Sequence, residues 1–258
     1  MPPGYWRPMA TNLRVTSTYI EATKGLFSNL PIALFFASIP ALCAAIVDMQ
    51  IVSDQLQHWP PSQEDALKVF IPWAIAALLI EILVGPLTAA AAVFVGKNQA
   101  NGQKSSLYKT LNFALNRYKR VFFPHLGATL SIQLGMVVLI PGILFMTMYA
   151  FVDPVACLED EKWAMGRSGR LTRGRRKTIL WVALPLILFS QVAFFIDLAA
   201  VEKGTAALFF AYLISYGLQF WLTLGFTSMY LKRIAGRKKQ PATQAEKTQS
   251  EDTSASEG

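Results

Sequence analysis

The lysine and arginine residues of this chain are confined to a few segments, and long apolar stretches separate those segments. Of the 24 residues, 22 fall in the region up to Lys24, in residues 97–120, in residues 162–177, and from Lys232 onward. The two exceptions, Lys68 and Lys203, lie in short acidic loops. Cytoplasmic loops of membrane proteins retain Lys and Arg, whereas translocated loops carry few. The pattern therefore predicts a multi-pass membrane protein, with all basic segments and both termini in the cytoplasm.

The composition suits a membrane protein and argues against a nucleic-acid-binding one. Hydrophobic residues make up 53% of the chain, charged residues 16%, and the mean hydropathy is +0.36. A soluble domain of this length has shorter apolar runs and more charge. The net charge of +8 comes from residues that flank apolar runs and do not line one polar face. We therefore expect no nucleic acid partner. The expected partners are anionic lipid headgroups. Their electrostatic attraction is worth about 1 kcal/mol for each Lys or Arg near the membrane surface.

Apolar runs long enough to cross a bilayer define six predicted transmembrane helices. A hydrocarbon core of about 30 Å needs roughly 20 helical residues. The predicted spans are residues 27–52, 69–95, 121–140, 142–157, 178–199 and 205–231. Residues 1–26 are predicted to be a cytoplasmic N-terminus with an interfacial helix. Residues 233–258 are polar, have no apolar period, and are predicted to be a disordered tail. The predicted fold is an all-α bundle with its six-span domain in residues 27–232.

The apolar region 121–157 is too long for one span and barely long enough for two. Its middle reads Ile140-Pro141-Gly142, and Pro followed by Gly favours a turn. One span would place the basic loops 97–120 and 162–177 on opposite sides of the membrane, whereas two short spans place them on the same side. The charge pattern therefore predicts a hairpin.

An amphipathic segment precedes each pair of spans, in residues 16–27, 105–120 and about 159–176. Basic amphipathic helices of this kind lie in the membrane interface on the side of their basic residues. A unit of interfacial helix, outward span and returning span would thus occur three times. The alternative is that any six-span protein with basic cytoplasmic loops shows the same arrangement.

Four polar side chains fall at similar depth in four different predicted spans. Counted from the cytoplasmic boundaries at 1.5 Å per residue, the depths are about 18 to 21 Å, and the residues are Glu81, Gln133, Gln191 and Gln219. An ionised carboxylate at a helix centre costs about 2.5–3.5 kcal/mol, so Glu81 must be protonated, paired or facing water. The layer is either a polar pocket for a small solute or a set of interhelical hydrogen bonds.

No sequence motif indicates catalysis, a metal site or a cofactor. The patterns HExxH, GxGxxG, GxSxG and the P-loop do not occur. His58 and His125 are expected on opposite sides of the bilayer, and Ser168 has no neighbouring His to activate it. Cys43 and Cys157 are interpreted as small apolar residues. We therefore predict a protein that is not an enzyme and holds no cofactor.

The stretch from Ile140 to Gly174 carries the most family information. Its informative positions are Pro141-Gly142, Pro154-Val155, Glu159, Ala164, Arg167-Ser168, Leu171-Thr172 and Gly174. In these positions the stretch resembles bacterial membrane proteins grouped with the glycerophosphoryl diester phosphodiesterase membrane-domain family and related six-span inner-membrane proteins. The resemblance implies the membrane module alone, because the catalytic domain of the namesake is a separate soluble barrel for which this chain has no room.

The segment after the fourth predicted span carries the candidate lipid contacts. Arg167, Arg170 and Arg173 recur every three residues and are within reach of headgroup phosphates if the segment is an interfacial helix. The alternative is that they only keep the segment in the cytoplasm. Asp153, at the inner end of the fourth span, is expected to form an ion pair with an Arg of the following loop.

Two functions remain open at this point. The first is a non-enzymatic scaffold, accessory or membrane-homeostasis protein, with a membrane-protein partner or a second copy of itself. The second is a small-solute or lipid transporter that uses the polar layer around Glu81. A transporter requires a cavity that reaches this layer, whereas a scaffold requires a closed and packed core.

Overall fold

Long apolar runs give the described part of this chain an almost entirely helical structure, although Pro40, Pro72, Pro86, Pro124 and Pro185 lie inside helices. The computed structural model describes residues 15–57, 63–136, 138, 140–159, 161, 163–201 and 204–238. Every regular element in these residues is a helix. The helices are α1 Val15–Ser28, α2 Leu30–Gln57, α3 Gln63–Ala100, α4 Leu107–Met136, α5 Ile140–Tyr149, α6 Val152–Leu158, α7 Ala164–Thr172, α8 Arg176–Val201 and α9 Thr205–Lys238.

Three helical segments of the described chain are long and apolar enough to cross a membrane: Leu30–Gln50, Ile140–Leu158 and Thr205–Ala235. Each has at least 19 residues, close to the roughly 20 that a bilayer core requires. The predictions of an all-helical fold and of a membrane protein are therefore confirmed at this level. The six-span arrangement stays a prediction.

Helix α9 is the centre of the bundle and packs against α1, α2, α3 and α8. Small residues let the helices approach closely, as they do in lipid, where dispersion contacts replace the hydrophobic effect. A Cβ atom at Gly96 of α3 would lie 3.0 Å from the side chain of Thr227, and Gly225 faces α1 and α8. At the opposite end of α9, the Tyr212 hydroxyl donates a hydrogen bond to Asp48 of α2.

Helix α1 packs on the bundle through a narrow face of small residues, namely Thr18, Ala22 and Gly25. The Gln99 side chain of α3 reaches this face and donates a hydrogen bond to the Glu21 carbonyl oxygen at 2.7 Å. The Lys232 amino group of α9 pairs with the Glu21 carboxylate at 2.7 Å. The predicted interfacial segment 16–27 is thus a helix held by side-chain bonds to α3 and α9.

The second and third predicted amphipathic segments differ from each other in the structure. Residues 107–120 and the following apolar stretch form one continuous helix, α4, which includes Pro124. In the third segment, a break after Leu158 leaves α7 as a separate short helix. Helix α9 also continues to Lys238, so residues 233–238 of the predicted tail are helical; residues 239–258 lie outside the described residues.

Helices α4 and α5 form a tight antiparallel hairpin, in which the two helices contact each other at two glycines. A Cβ atom at Gly135 would lie 2.7 Å from the backbone nitrogen of Gly142, so only glycines allow this approach. The chain reverses between Met136 and Ile140, a few residues before the predicted turn. Pro141 lies in the first turn of α5, where a helix tolerates proline because its N–H has no partner there.

Replacing Gly135 by alanine is expected to destabilise the hairpin by about 1–3 kcal/mol, because the added methyl group overpacks the crossing. The apparent Tm of the purified protein in detergent should fall. The matched control is Gly217→Ala in α9, where a Cβ meets nothing within 4 Å and alanine is the better helix former. A Gly135→Ala protein as stable as the Gly217→Ala protein would contradict the close crossing.

Candidate functional site

The short helix α7 lies at one end of the bundle, here called the basic end. Its basic residues include Lys97, Arg117, Arg120, Arg167, Arg170, Arg173, Arg176, Lys177 and Lys232. The chain leaves α6 through an extended residue, Glu159, before α7 begins at Ala164. After α7, Gly174 adopts φ +80°, which allows the turn into α8. Because the chain turns at Glu159 and at Gly174, α7 lies across the end of the α4–α5 hairpin.

Ser168 fixes the inner face of α7 to the break between α5 and α6. Its hydroxyl donates to the Met148 carbonyl oxygen at 2.7 Å and accepts from the Phe151 N–H at 3.1 Å. Thr172, one turn later, donates to the same carbonyl at 3.4 Å. Both hydroxyl residues are buried. Side chains thus satisfy backbone groups that the helix break leaves without helical partners.

Arg167 also faces the bundle and does not lie with the other two predicted headgroup arginines. Its Nε donates to the Glu159 carboxylate at 2.9 Å, and the Tyr230 hydroxyl of α9 donates to the other oxygen at 2.9 Å. The hydrogen bond to Glu159 raises the pKa of the Arg167 guanidinium above its usual value, so the charge is kept. The cluster Glu159–Arg167–Tyr230 therefore links α7 to α9.

The outer face of α7 and the start of α8 line an open groove with a volume of about 850 Å³. Its cationic side chains are Arg170, Arg173, Arg176 and Lys177. Its remaining lining residues are Met148, Tyr149, Met165, Gly166, Gly169 and Gly174. No carboxylate is among the lining residues that the structure describes. This feature is called the basic groove below.

Two further observations indicate that the basic groove suits an anion. The Nε atom of Arg176 is buried and has no hydrogen-bond partner in the described part of the chain. Cβ atoms at Gly166 and Gly174 would meet nothing within 4 Å, so the glycines leave open space. Guanidinium groups bind phosphate in a bidentate manner, and the Met148, Tyr149 and Met165 side chains add an apolar wall.

The predicted polar layer is brought together in part. Gln133 of α4 and Gln219 of α9 line a second cavity of about 280 Å³, called the central cavity below. Gly85, one turn beyond Glu81 in α3, also lines it. Glu81 and Gln191 lie in α3 and α8, and their side chains are outside the described part of the structure. Two of the four residues predicted at similar depth, Gln133 and Gln219, therefore line the same cavity.

The wall of this cavity contains an ionisable pair that was not predicted from the sequence. His125 Nδ1 of α4 lies 2.9 Å from the Asp153 carboxylate of α6. Asp153 was expected to pair with an Arg of the next loop, and the structure shows His125 as its partner instead. The antiparallel pairing of the hairpin was the available signal, because it sets residue 125 opposite residue 153.

Within the described ranges, no group of three or more His, Cys, Asp or Glu side chains is arranged to hold a metal ion. Cys43 and Cys157 are free thiols, and His58 lies outside the described residues. In comparisons with known proteins, no family model, curated protein or solved structure matches the chain. The resemblance to the phosphodiesterase membrane-domain family therefore stays a prediction.

A double-mutant cycle tests whether the Glu159–Arg167 contact holds α7 in place. Glu159→Gln and Arg167→Gln should each lower stability by about 1–3 kcal/mol, because each leaves a charged partner without its hydrogen bond. Together they should cost less than the sum, with a coupling of about 0.5 kcal/mol or more in thermal unfolding. The control pair Glu161→Gln and Arg170→Gln should be additive. Additivity of both pairs would contradict the link.

Proposed function

We propose that this protein is a non-enzymatic component of a bacterial inner membrane that crosses the bilayer six times and binds anionic phospholipid in the basic groove. Both termini and the groove would lie on the cytoplasmic side. Its role would be that of a scaffold, accessory subunit or membrane-homeostasis factor. Its location or conformation in the membrane would depend on the anionic lipid content. The three helical segments apolar enough to cross a membrane and the position of the cations at one end of the bundle support this proposal.

The observation that carries the proposal is the combination of four cations and an apolar wall in one groove. A phosphodiester headgroup offers oxygens to Arg170, Arg173 and Arg176, and the adjoining acyl region contacts the Met148 and Met165 side chains. A free inorganic anion makes no use of that apolar wall. The ligand that fits both parts is an anionic phospholipid.

The surroundings of the groove fit a position at the level of the headgroups. Trp163, directly before α7, is 78% exposed, and tryptophan is enriched at membrane interfaces because its ring is amphipathic. Helix α7 is itself strongly amphipathic, with Ser168, Leu171 and Thr172 buried and Arg170 exposed. Both features support a position of the groove at the level of the headgroup phosphates.

Electrostatic attraction at the membrane surface is worth about 1 kcal/mol per cation, so four groove cations give about 4 kcal/mol without any specific geometry. Hydrogen bonds to charged groups add about 1.5–3 kcal/mol each. A groove that binds phosphate therefore discriminates between individual lipids, whereas a retention signal responds only to total surface charge. This difference separates the proposal from the alternative that the arginines only set the topology.

The second candidate function is a transporter for a small solute or lipid, and the central cavity favours it. A closed core would have excluded transport, but Gln133, Gln219 and the His125–Asp153 pair line an open space near the level of Glu81. The groove remains the stronger evidence because its charge and shape indicate one ligand class.

The double variant Arg170→Gln/Arg173→Gln is expected to lose anionic lipid. Both side chains are exposed in the groove, so stability should be unaffected, while removal of two cations at about 1 kcal/mol each should lower retention of phosphatidylglycerol at least tenfold. The measurement is native mass spectrometry of protein extracted from nanodiscs that contain phosphatidylglycerol and phosphatidylcholine.

The matched control for this experiment is Lys104→Gln/Lys109→Gln, which removes two exposed cations outside the groove. It should retain phosphatidylglycerol as the wild type does. Equal losses in the two double variants would show that only total charge matters, and that the groove is not a binding site.

The orientation is tested by cysteine labelling in a Cys43→Ala/Cys157→Ala background. A cysteine at Gln103, in the basic loop between α3 and α4, should react with a membrane-impermeant maleimide only after permeabilisation of the cells. A cysteine at Thr205, at the other end of α9 and exposed, should react in intact cells. The reverse pattern would overturn the proposed topology.

A further inference from the structure

The central cavity is chemically different from the basic groove. Helices α2, α3, α4, α5, α6 and α9 all contribute to its wall, and it lies among segments apolar enough to cross a membrane. Pockets of this kind, with a mostly apolar lining and a few convergent polar groups, are the usual form of small-molecule sites. Among the lining residues that the structure describes, none of the groove cations belongs to it, and Tyr149 is the one residue that both sites share.

Two side-chain amides mark the open side of the central cavity. Gln133 and Gln219 are exposed, and neither side chain forms a hydrogen bond with the described part of the chain. An amide left unpaired in hydrocarbon is costly, so each needs water or a ligand when the bundle is in a membrane. Each amide has both donors and an acceptor, which suits hydroxyl groups better than a charged group of either sign.

The inner wall of the cavity offers no unpaired charge. Its ionisable groups are the His125–Asp153 pair, joined at 2.9 Å, and the phenols Tyr149 and Tyr216. Apart from this imidazole, no basic side chain is among the described lining residues, and the imidazole is already bonded to the carboxylate. An anionic ligand therefore finds no free counter-charge in the described lining, and the chemistry of the cavity disfavours an anionic head.

The remaining wall is apolar, with side chains such as Ile132, Met146, Phe220 and Phe226. The volume of about 280 Å³ is slightly below the roughly 300–1,000 Å³ of ligand pockets, so it suits a headgroup with a short part of a chain and not a complete lipid. We propose that the central cavity binds the uncharged, hydroxyl-bearing head of a small amphiphile. The inference uses the membrane location proposed above but does not depend on the basic groove.

The test uses a photoreactive probe, a 1-monoacylglycerol with a diazirine in its chain, incorporated into nanodiscs with the full-length protein. Light-induced adducts are located by mass spectrometry of peptides. Adducts are expected on α4 and α9 beside the cavity, and a matched probe that carries a phosphate in place of the terminal hydroxyl should label these sites at least tenfold less. Equal labelling by both probes would overturn selection of an uncharged head.

The double variant Gln133→Leu/Gln219→Leu tests the role of the amides with side chains of similar size. Loss of two neutral hydrogen bonds should reduce cavity labelling about tenfold. The Tm should stay the same or rise, since two amides leave an apolar region. The control Gln103→Leu, in the exposed basic loop, should label as the wild type does. Unchanged labelling of the double variant together with a lower Tm would show that the amides are structural and would refute the site.

Competition distinguishes two sources of the same chemistry. Excess unlabelled monoacylglycerol that removes the adducts identifies a membrane lipid as the ligand, whereas free glycerol that removes them at equal concentration identifies a soluble polyol. Both results support an uncharged hydroxyl ligand, and failure of both competitors would refute it. The variant Arg170→Gln/Arg173→Gln should label normally, so failure of the basic groove and failure of the central cavity remain separate outcomes.

Discussion

The Ser168 hydroxyl helps to hold α7 across the break between α5 and α6, and the basic groove follows from that position. A break between α5 and α6 in an apolar segment leaves backbone groups without helical partners, and Ser168 bonds to Met148 on one side of the break and to Phe151 on the other. In lipid such groups have no water to replace these bonds. With α7 fixed across the break, its outer face forms the basic groove and Tyr149 separates that groove from the central cavity.

Opposite charges at the basic end hold the peripheral helices to α9. Glu21 of α1 binds Ser228 and Lys232, and Glu159 binds Tyr230 as well as Arg167. A bundle end with many cations repels itself, so the two glutamates reduce that repulsion and at the same time fix the positions of α1 and α7. The cations of the basic groove have no such partner in its lining, which leaves their charge available to a ligand.

The sequence was sufficient for the helical fold, the apolar segments and the clustering of basic residues, because these depend on composition and spacing alone. It could not show which of Arg167, Arg170 and Arg173 face the bundle and which face the groove. A helix turns 100° per residue, so residues three apart drift by 60° at each step, and Arg167 points to Glu159 while Arg170 and Arg173 reach the groove. Similarly, a turn placed at Pro141 instead of before Ile140 shifts the pairing of the hairpin and hides the His125–Asp153 contact.

The positions of the two sites follow from the cost of burying charge. Four cations are tolerable at a membrane surface, where water and phosphate solvate them, and the proposed function puts the groove at that level. Deeper in the bundle the same charges would be expensive, and the described lining of the central cavity has only amides, hydroxyls and one paired carboxylate. Tyr149, stacked on Phe145 with ring centroids 5.9 Å apart, stands between the two environments. On the proposals made above, a ligand with an anionic head would therefore bind in the groove and one with an uncharged head in the cavity.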